Sequence, residues 1–267
     1  MIAWKFRLWR TAGAAAALGL AACGGEGGEG ASTVGGGESG EGAVAEPETP
    51  PAAAAAGGGG EQGEAGAASA FAGLSGDQLT ALRLQHLKGF VMAAETAAQA
   101  GEGEAAAVLV QQGLLEAYDV APDQFGAFDA GPVRAAAAAG PDIAARLRAA
   151  HDAIDRAQSG LAADHAVLAA RMIDIATGLY QGVVHEDYVD PIEYQHSHGA
   201  ALSARDALAR GAGELRRRDR RAYEESATEF DRFAALWPAA DAPEAPAAYR
   251  DVLVQASRVR LALSPFL

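Results

Sequence analysis

The chain has 267 residues, half of them hydrophobic but only 6% aromatic, and carries a net charge of −14 with a single cysteine. That balance excludes the basic footprint of a nucleic-acid-binding protein, an internal disulfide framework and any multi-cysteine metal site. With 33 glycines and abundant alanine, a core must be built from small side chains.

Residues 1–10 carry Lys5, Arg7 and Arg10 and no acid, and Thr11–Ala22 is a run of small and apolar residues. A basic start followed by an apolar run too short to span a bilayer reads as a secretory signal. It ends in Leu20-Ala21-Ala22-Cys23. This segment resembles the bacterial lipoprotein signal, which implies that residues 1–22 are a leader, that cleavage occurs before Cys23, and that Cys23 is the lipidation site. Several acyl chains on one residue anchor a protein stably, so the first expected partner is a membrane, reached through the N-terminal lipid. Gly24 rather than Asp after the cysteine implies the periplasmic face of the outer membrane. Loss of the leader leaves 18 bases against 35 acids, a charge of −17.

Residues 23–70 are rich in Gly, Ala and Pro, with eight Glu and no Lys or Arg. Such a segment has too little apolar bulk to offset its ordering entropy. It is expected to be a disordered, self-repelling tether with a span of roughly 35–40 Å.

From Phe71 to Leu267 apolar residues recur at helical spacing, and no stretch alternates with period two. The first helix is expected over residues 77–100, with Leu79, Leu82, His86 and Phe90 on one stripe, Ser75 before it and Gly101 after it. A second is expected over 104–118, with Val108, Leu115 and Tyr118 inward, closed by Pro122. Gly131-Pro132 opens a short helix to about residue 139. Gly140-Pro141 opens another to about 158, with Ile143, Leu147 and Ile154 inward, Pro being favoured in the first helical turn. Residues 161–180 carry Leu168, Met172, Ile175 and Leu179. Further helices are expected over 192–209, 217–236 and 247–263, with Trp237-Pro238 as a breaker. Seven or eight helices with short connections make an all-α, up-and-down bundle in one domain.

The densest polar stretch is His185-Glu186-Asp187-Tyr188 followed by Asp190, Glu193, Tyr194, His196 and His198. Glu193-x-x-His196 puts a carboxylate and an imidazole one turn apart on a helix, a spacing that helical bundles use for metal. His198, two residues from His196, points about 200° away, toward solvent. His185 and Glu186 fold back from the loop in this reading, giving His185, Glu186, Glu193 and His196 as a candidate mixed N/O site for iron, copper or zinc. The competing reading makes Glu193 a first-turn acid favoured by the helix dipole. His86 reads as a core imidazole satisfied by a buried group, with Glu95 nearby. His151-x-x-x-Asp155 and Asp164-His165 read as surface pairs. The basic block Arg216–Arg221 reads as a solvated face, Arg220 and Arg221 each having a Glu four residues on. No nucleophile elbow, phosphate loop or His-Glu-x-x-His pattern is present.

Tyr180-Gln-Gly-Val-Val-His-Glu-Asp-Tyr-Val-Asp-Pro-Ile-Glu-Tyr-Gln195 is similar to a pattern in helical periplasmic domains around bacterial metal uptake, such as imelysin-like proteins and the periplasmic segments of iron permeases. The resemblance implies an all-α bundle serving metal handling. The imelysin signature Gly-x-His-x-x-Glu is absent, His185 and Glu186 being adjacent. Two functions follow. One is a non-enzymatic, lipid-anchored periplasmic binding protein that presents a metal or a metal-handling partner. The other is a structural or assembly lipoprotein that binds another envelope protein through an apolar helix face, with Trp237, Tyr249 and Phe266 as anchors, a role that core packing of these aromatics explains equally well.

Overall fold

The computed structural model describes residues 69–267. The leader, Cys23 and the tether up to residue 68 lie outside the described residues. Among those described there are nine α-helices and no strand: α1 (Gly76–Gln99), α2 (Gly103–Gly113), α3 (Gly131–Ala136), α4 (Ile143–Ser159), α5 (His165–Tyr180), α6 (Pro191–Arg210), α7 (Ala212–Arg218), α8 (Arg220–Ala234) and α9 (Tyr249–Leu263). The domain is an all-α helical bundle.

Local chemistry sets the boundaries. Gly101 at φ +90° ends α1: its N–H donates to Ala98, and the N–H of Glu102 reaches back to Ala97 at 2.9 Å. This is the double closure that a left-handed residue after a helix permits. Asp164 caps α5 through Ala166 and Val167, and so the helix starts at His165 rather than at residue 161. Asp190 caps α6 through Ile192 and Glu193, with Pro191 at the first position. Asp219, extended at φ −154°, interrupts the single helix expected over 217–236. It ends α7 and caps α8 by accepting from Ala222 at 3.0 Å.

Two apolar clusters fill the bundle. One gathers α5, α6, α8 and α9 around Met172, Ile175, Tyr180, Phe230, Phe233 and Val259. The other gathers α1 to α4 around Leu87, Phe90, Val110, Leu147 and Ile154. Helix α1 serves both, giving Leu82 to the first and Leu84 and Leu87 to the second. Its main partner across the boundary is α6, which is buried on nearly every side and built of Ser197, Gly199, Ala200, Ala201, Ser203, Ala204 and Ala207. Small side chains bring the two backbones together at Gly89 and Gly199. A Cβ placed on Gly199 would lie within 2.8 Å of the Gly89 carbonyl carbon.

Three expectations are corrected here. Val108 and Leu115 are 51% and 57% exposed, because α2 turns Ala106, Ala107, Leu109, Val110 and Leu114 inward instead. Helix α2 then widens into a π-turn over Leu114–Tyr118. Trp237 and Phe266, read either as surface anchors or as core aromatics, are core residues: Trp237 packs edge-on against Tyr180 and Phe233, and Phe266 is buried in the same cluster.

Candidate functional site

A polar seam runs along the α1–α6 crossing and into α4. The Gln85 amide donates to the Ser203 carbonyl and hydroxyl and to Asp206, at 2.8, 2.9 and 3.0 Å. Ser203 returns a 2.6 Å bond to the Gln85 carbonyl, and Gln158 on α4 donates to the Gln85 side chain at 2.7 Å. One turn on, the fully buried Lys88 ammonium holds Asp155 at 2.8 Å and Asp206 at 2.6 Å. Arg210 also pairs with Asp155. A buried cation survives only when paired and hydrogen-bonded, and two carboxylates meet that need. Burial raises the Asp155 pKa, but Lys88, with Arg210 and His151, outweighs it and holds the carboxyl below its usual range. The seam reaches solvent at His151, whose Nδ1 lies 3.1 Å from Glu95. The bond to Glu95 raises the His151 pKa. A hollow of about 310 Å³, lined by Glu95, Gln99, Leu147 and Arg148, opens there.

The seam overturns two readings of the sequence. Asp155 and His151 are not a surface pair but half-buried members of a network that joins three helices. Glu95 serves His151 rather than His86.

An aromatic corner lies on the other side of α1. His86 sits between Phe71 and Phe90, with ring centroids at 5.8 and 5.4 Å, and Phe90 meets the His196 ring edge-on at 4.8 Å. Neither ring nitrogen of His86 has a hydrogen-bond partner among the described residues. Burial, with Arg83 and His196 nearby, pushes its pKa down to about 3. His196 is better provided. Its Nε2 lies 3.1 Å from Gln112 and its Nδ1 3.4 Å from Glu116, both reaching over from the end of α2. Burial lowers its pKa to about 4, with Asp190 opposing. In the neutral ring Nε2–H donates to the Gln112 side-chain oxygen, and Nδ1 gains a proton toward Glu116 only when the imidazole is charged. His198, expected to face solvent, is buried as well, because α6 is enclosed on nearly every side.

The four sequence-derived metal candidates occupy three different settings. His185 donates through Nε2 to the Gly182 carbonyl at 2.8 Å and stacks on Tyr188 at 4.2 Å, closing a small turn between Val184 and Val189. Glu186 is exposed at the tip of that turn. Glu193 is buried against Gly182, and His196 faces α2. Among the described residues no group of three or more His, Cys, Asp or Glu is arranged to hold a metal ion.

Gln112 and Glu116, the residues that engage His196, were missed in the sequence. Their four-residue spacing on the helix that faces α6 is the signal that points to them. Lys88 was missed too, although a lysine within the stretch Leu87–Val91, which is otherwise apolar, is itself anomalous. Comparison with protein-family models, curated proteins and solved structures gave no match.

Proposed function

We propose that this chain is a lipid-anchored protein of the bacterial cell envelope, held at the periplasmic face of the outer membrane through acylated Cys23, which works by binding rather than by catalysis. The observation that carries the reading is the sequence Leu20-Ala21-Ala22-Cys23 behind a basic start and a short apolar run, with that cysteine the only one in the chain. The helical domain docks an envelope protein through the outer face of α2. Support comes from Val108 and Leu115, seven residues apart and exposed, with exposed Val120 just beyond the π-turn. Aliphatic side chains left in water along one helix face are the usual material of a partner contact.

A second reading, metal handling, draws on the His196–Glu116 contact, which joins an imidazole and a carboxylate in a partly enclosed setting.

Labelling with an alkyne-bearing fatty acid tests the anchor. The intact chain takes up label and fractionates with membranes, and Cys23→Ser does neither; equal labelling of both would end the reading. A photo-crosslinking residue at position 115 is expected to give a discrete adduct that Val108→Glu abolishes. Calorimetric titration with zinc, copper(II) and iron, repeated on His185→Ala/His196→Ala, decides the metal alternative. That alternative fails if no binding is seen below about 100 µM, a free energy of some 5–6 kcal/mol.

A further inference from the structure

The overall charge is strongly negative, yet one face of the domain is basic. Arg171 on α5 and Arg260 on α9 converge on a basin of about 420 Å³ walled by Val167, Ala170 and Leu267, with Asp174 the acid in its lining. Arg260 pairs with Asp174. The hydrogen bond of Arg171 among the described residues is a long one, 3.5 Å to the Ala72 carbonyl, which leaves most of its donors open. Arg218 joins from α7, bonding the Phe266 carbonyl at 3.3 Å and lying over the Phe266 ring. From Val252 to Leu267 the chain carries Arg258 and Arg260 and no acid.

The same face is also greasy. Helix α9 buries Val252, Ala256, Val259 and Leu263 and leaves Leu253, Val254 and Leu261 in solvent, Leu261 at 76%. Val254 and Leu261 are seven residues apart and form one outward stripe, while Leu253 shares the edge of Arg260. A surface that pairs guanidiniums with exposed leucines is built like an interfacial membrane-binding face, apolar side chains entering the headgroup boundary and cations meeting phosphate.

We propose that this face, with Arg171, Arg218, Arg258 and Arg260 set around Leu261 and Leu267, docks on an anionic phospholipid surface. The charge complementarity selects the occupant. The described chain also begins at this basin, since Ala72 bonds Arg171. The proposal deepens the lipid-anchored reading and rests on it for its setting: an acyl chain on Cys23 raises the local concentration of this face at the bilayer.

The test uses the full chain as Cys23→Ser, free of acyl chains, sedimented with phosphatidylcholine vesicles alone or with roughly one-third phosphatidylglycerol. Binding is expected only to the anionic vesicles, and it weakens as salt shortens the Debye length below ~10 Å. Each arginine removed is expected to lower the partition coefficient about fivefold, so Arg171→Gln/Arg260→Gln loses roughly 25-fold. Leu261→Ser weakens binding without changing its salt dependence. Should loss of the Asp174 partner unsettle the fold, Arg171→Gln/Arg258→Gln reads the same effect, with circular dichroism as the check on folding. Equal sedimentation with neutral and anionic vesicles overturns the proposal. So does saturable binding of inorganic phosphate with no vesicle binding, which makes the basin a small-anion site. The assay needs no acylation, so its failure and a failure of the Cys23 labelling are read separately.

Discussion

Substituting Gly199 by Ala tests the claim that a glycine contact sets the α1–α6 spacing. The new Cβ lies within 2.8 Å of the Gly89 carbonyl carbon and 3.1 Å from the Ala93 side chain. Ordinary contact needs ~3.5 Å, and the obstructing atoms are backbone, so the helices must part by roughly 0.7 Å or more. Overpacking of this kind costs about 1–3 kcal/mol. Parting the helices also stretches the Gln85–Ser203 bonds beside the contact, worth about 1 kcal/mol each. Replacing a helical glycine returns about 1 kcal/mol of propensity. The net expectation is a loss of about 2–3 kcal/mol. Gly89→Ala is the internal contrast, because its Cβ meets the Gly199 carbonyl oxygen at 3.0 Å. That milder crowding is nearly offset by the propensity gain, so about 0–1 kcal/mol is expected. Gly160→Ala, with open space around its Cβ and a negative φ, is the control and should be neutral or slightly stabilising. Urea unfolding at constant m-value measures all three. In a domain of this size, 2–3 kcal/mol lowers Tm by about 4–12 °C. A Gly199→Ala protein as stable as Gly160→Ala would refute the reasoning.

Four further outcomes follow from the same structure. Lys88→Met leaves Asp206 without its cation and Asp155 with Arg210 alone, and should cost about 1–3 kcal/mol, part of which Asp206→Asn in the same chain restores; chemical denaturation of the single and double variants reads this. His86→Leu removes a buried ring with no hydrogen-bond partner and should stabilise by about 1 kcal/mol at neutral pH, a result that a thermal scan detects. That variant also moves acid unfolding to lower pH. The His86 pKa is about 3 in the fold against 6.5 unfolded, so the unfolded chain takes up a proton first. Stability is full above pH 6.5 and falls as pH drops toward 3, as it does toward 4 for His196. His151 has the opposite sign, since its folded pKa is raised: its contribution is complete below the unfolded value of 6.5 and is lost as pH rises through the folded one. His151→Gln should flatten the alkaline side of a stability–pH curve. Asp190→Ala unties the start of α6 and should cost about 1 kcal/mol by urea unfolding, with no change in metal titration.

The helices were legible wherever one face is apolar or a special residue marks an end. Helix α1 runs from 76 to 99 against an expected 77 to 100, because Gly101 supplies a left-handed stop. Helix α9, with Val252, Val259 and Leu263 inward, starts within two residues of expectation. Legibility failed where one aspartate both ends and starts a helix, as Asp219 does, since no apolar position changes there. It failed again in α2, where alanines do the packing and the larger Val108 and Leu115 are left outside. A reading that weighs hydrophobic bulk assigns the wrong face to such a helix.

The candidate site failed for a different reason, which is that density along the chain is not convergence in space. Between 185 and 198 the polar residues are close in sequence because three separate tasks follow one another. His185 closes a turn against Tyr188, Asp190 caps a helix, and Glu193, His196 and His198 pack an enclosed one. Helical geometry then turns them to different neighbours, and His196 finds Gln112 and Glu116 some 80 positions away. The side chains that do converge, Gln85, Lys88, Asp155, Gln158, Ser203 and Asp206, are spread across 121 positions. Each looks ordinary in its own helix. What betrays them is polarity on faces that must be buried: Gln85 and Lys88 interrupt the apolar run from Leu82 to Val91, and Ser203 and Asp206 interrupt a helix of alanines. Buried polar groups require partners, so two such helices imply each other. The thin, alanine-rich α6 fits only against a helix with its own gap, and the Gly89–Gly199 contact provides it. The polar pairs beside that contact then fix the register, since sliding α1 along α6 by one turn would part Lys88 from Asp206 and Gln85 from Ser203.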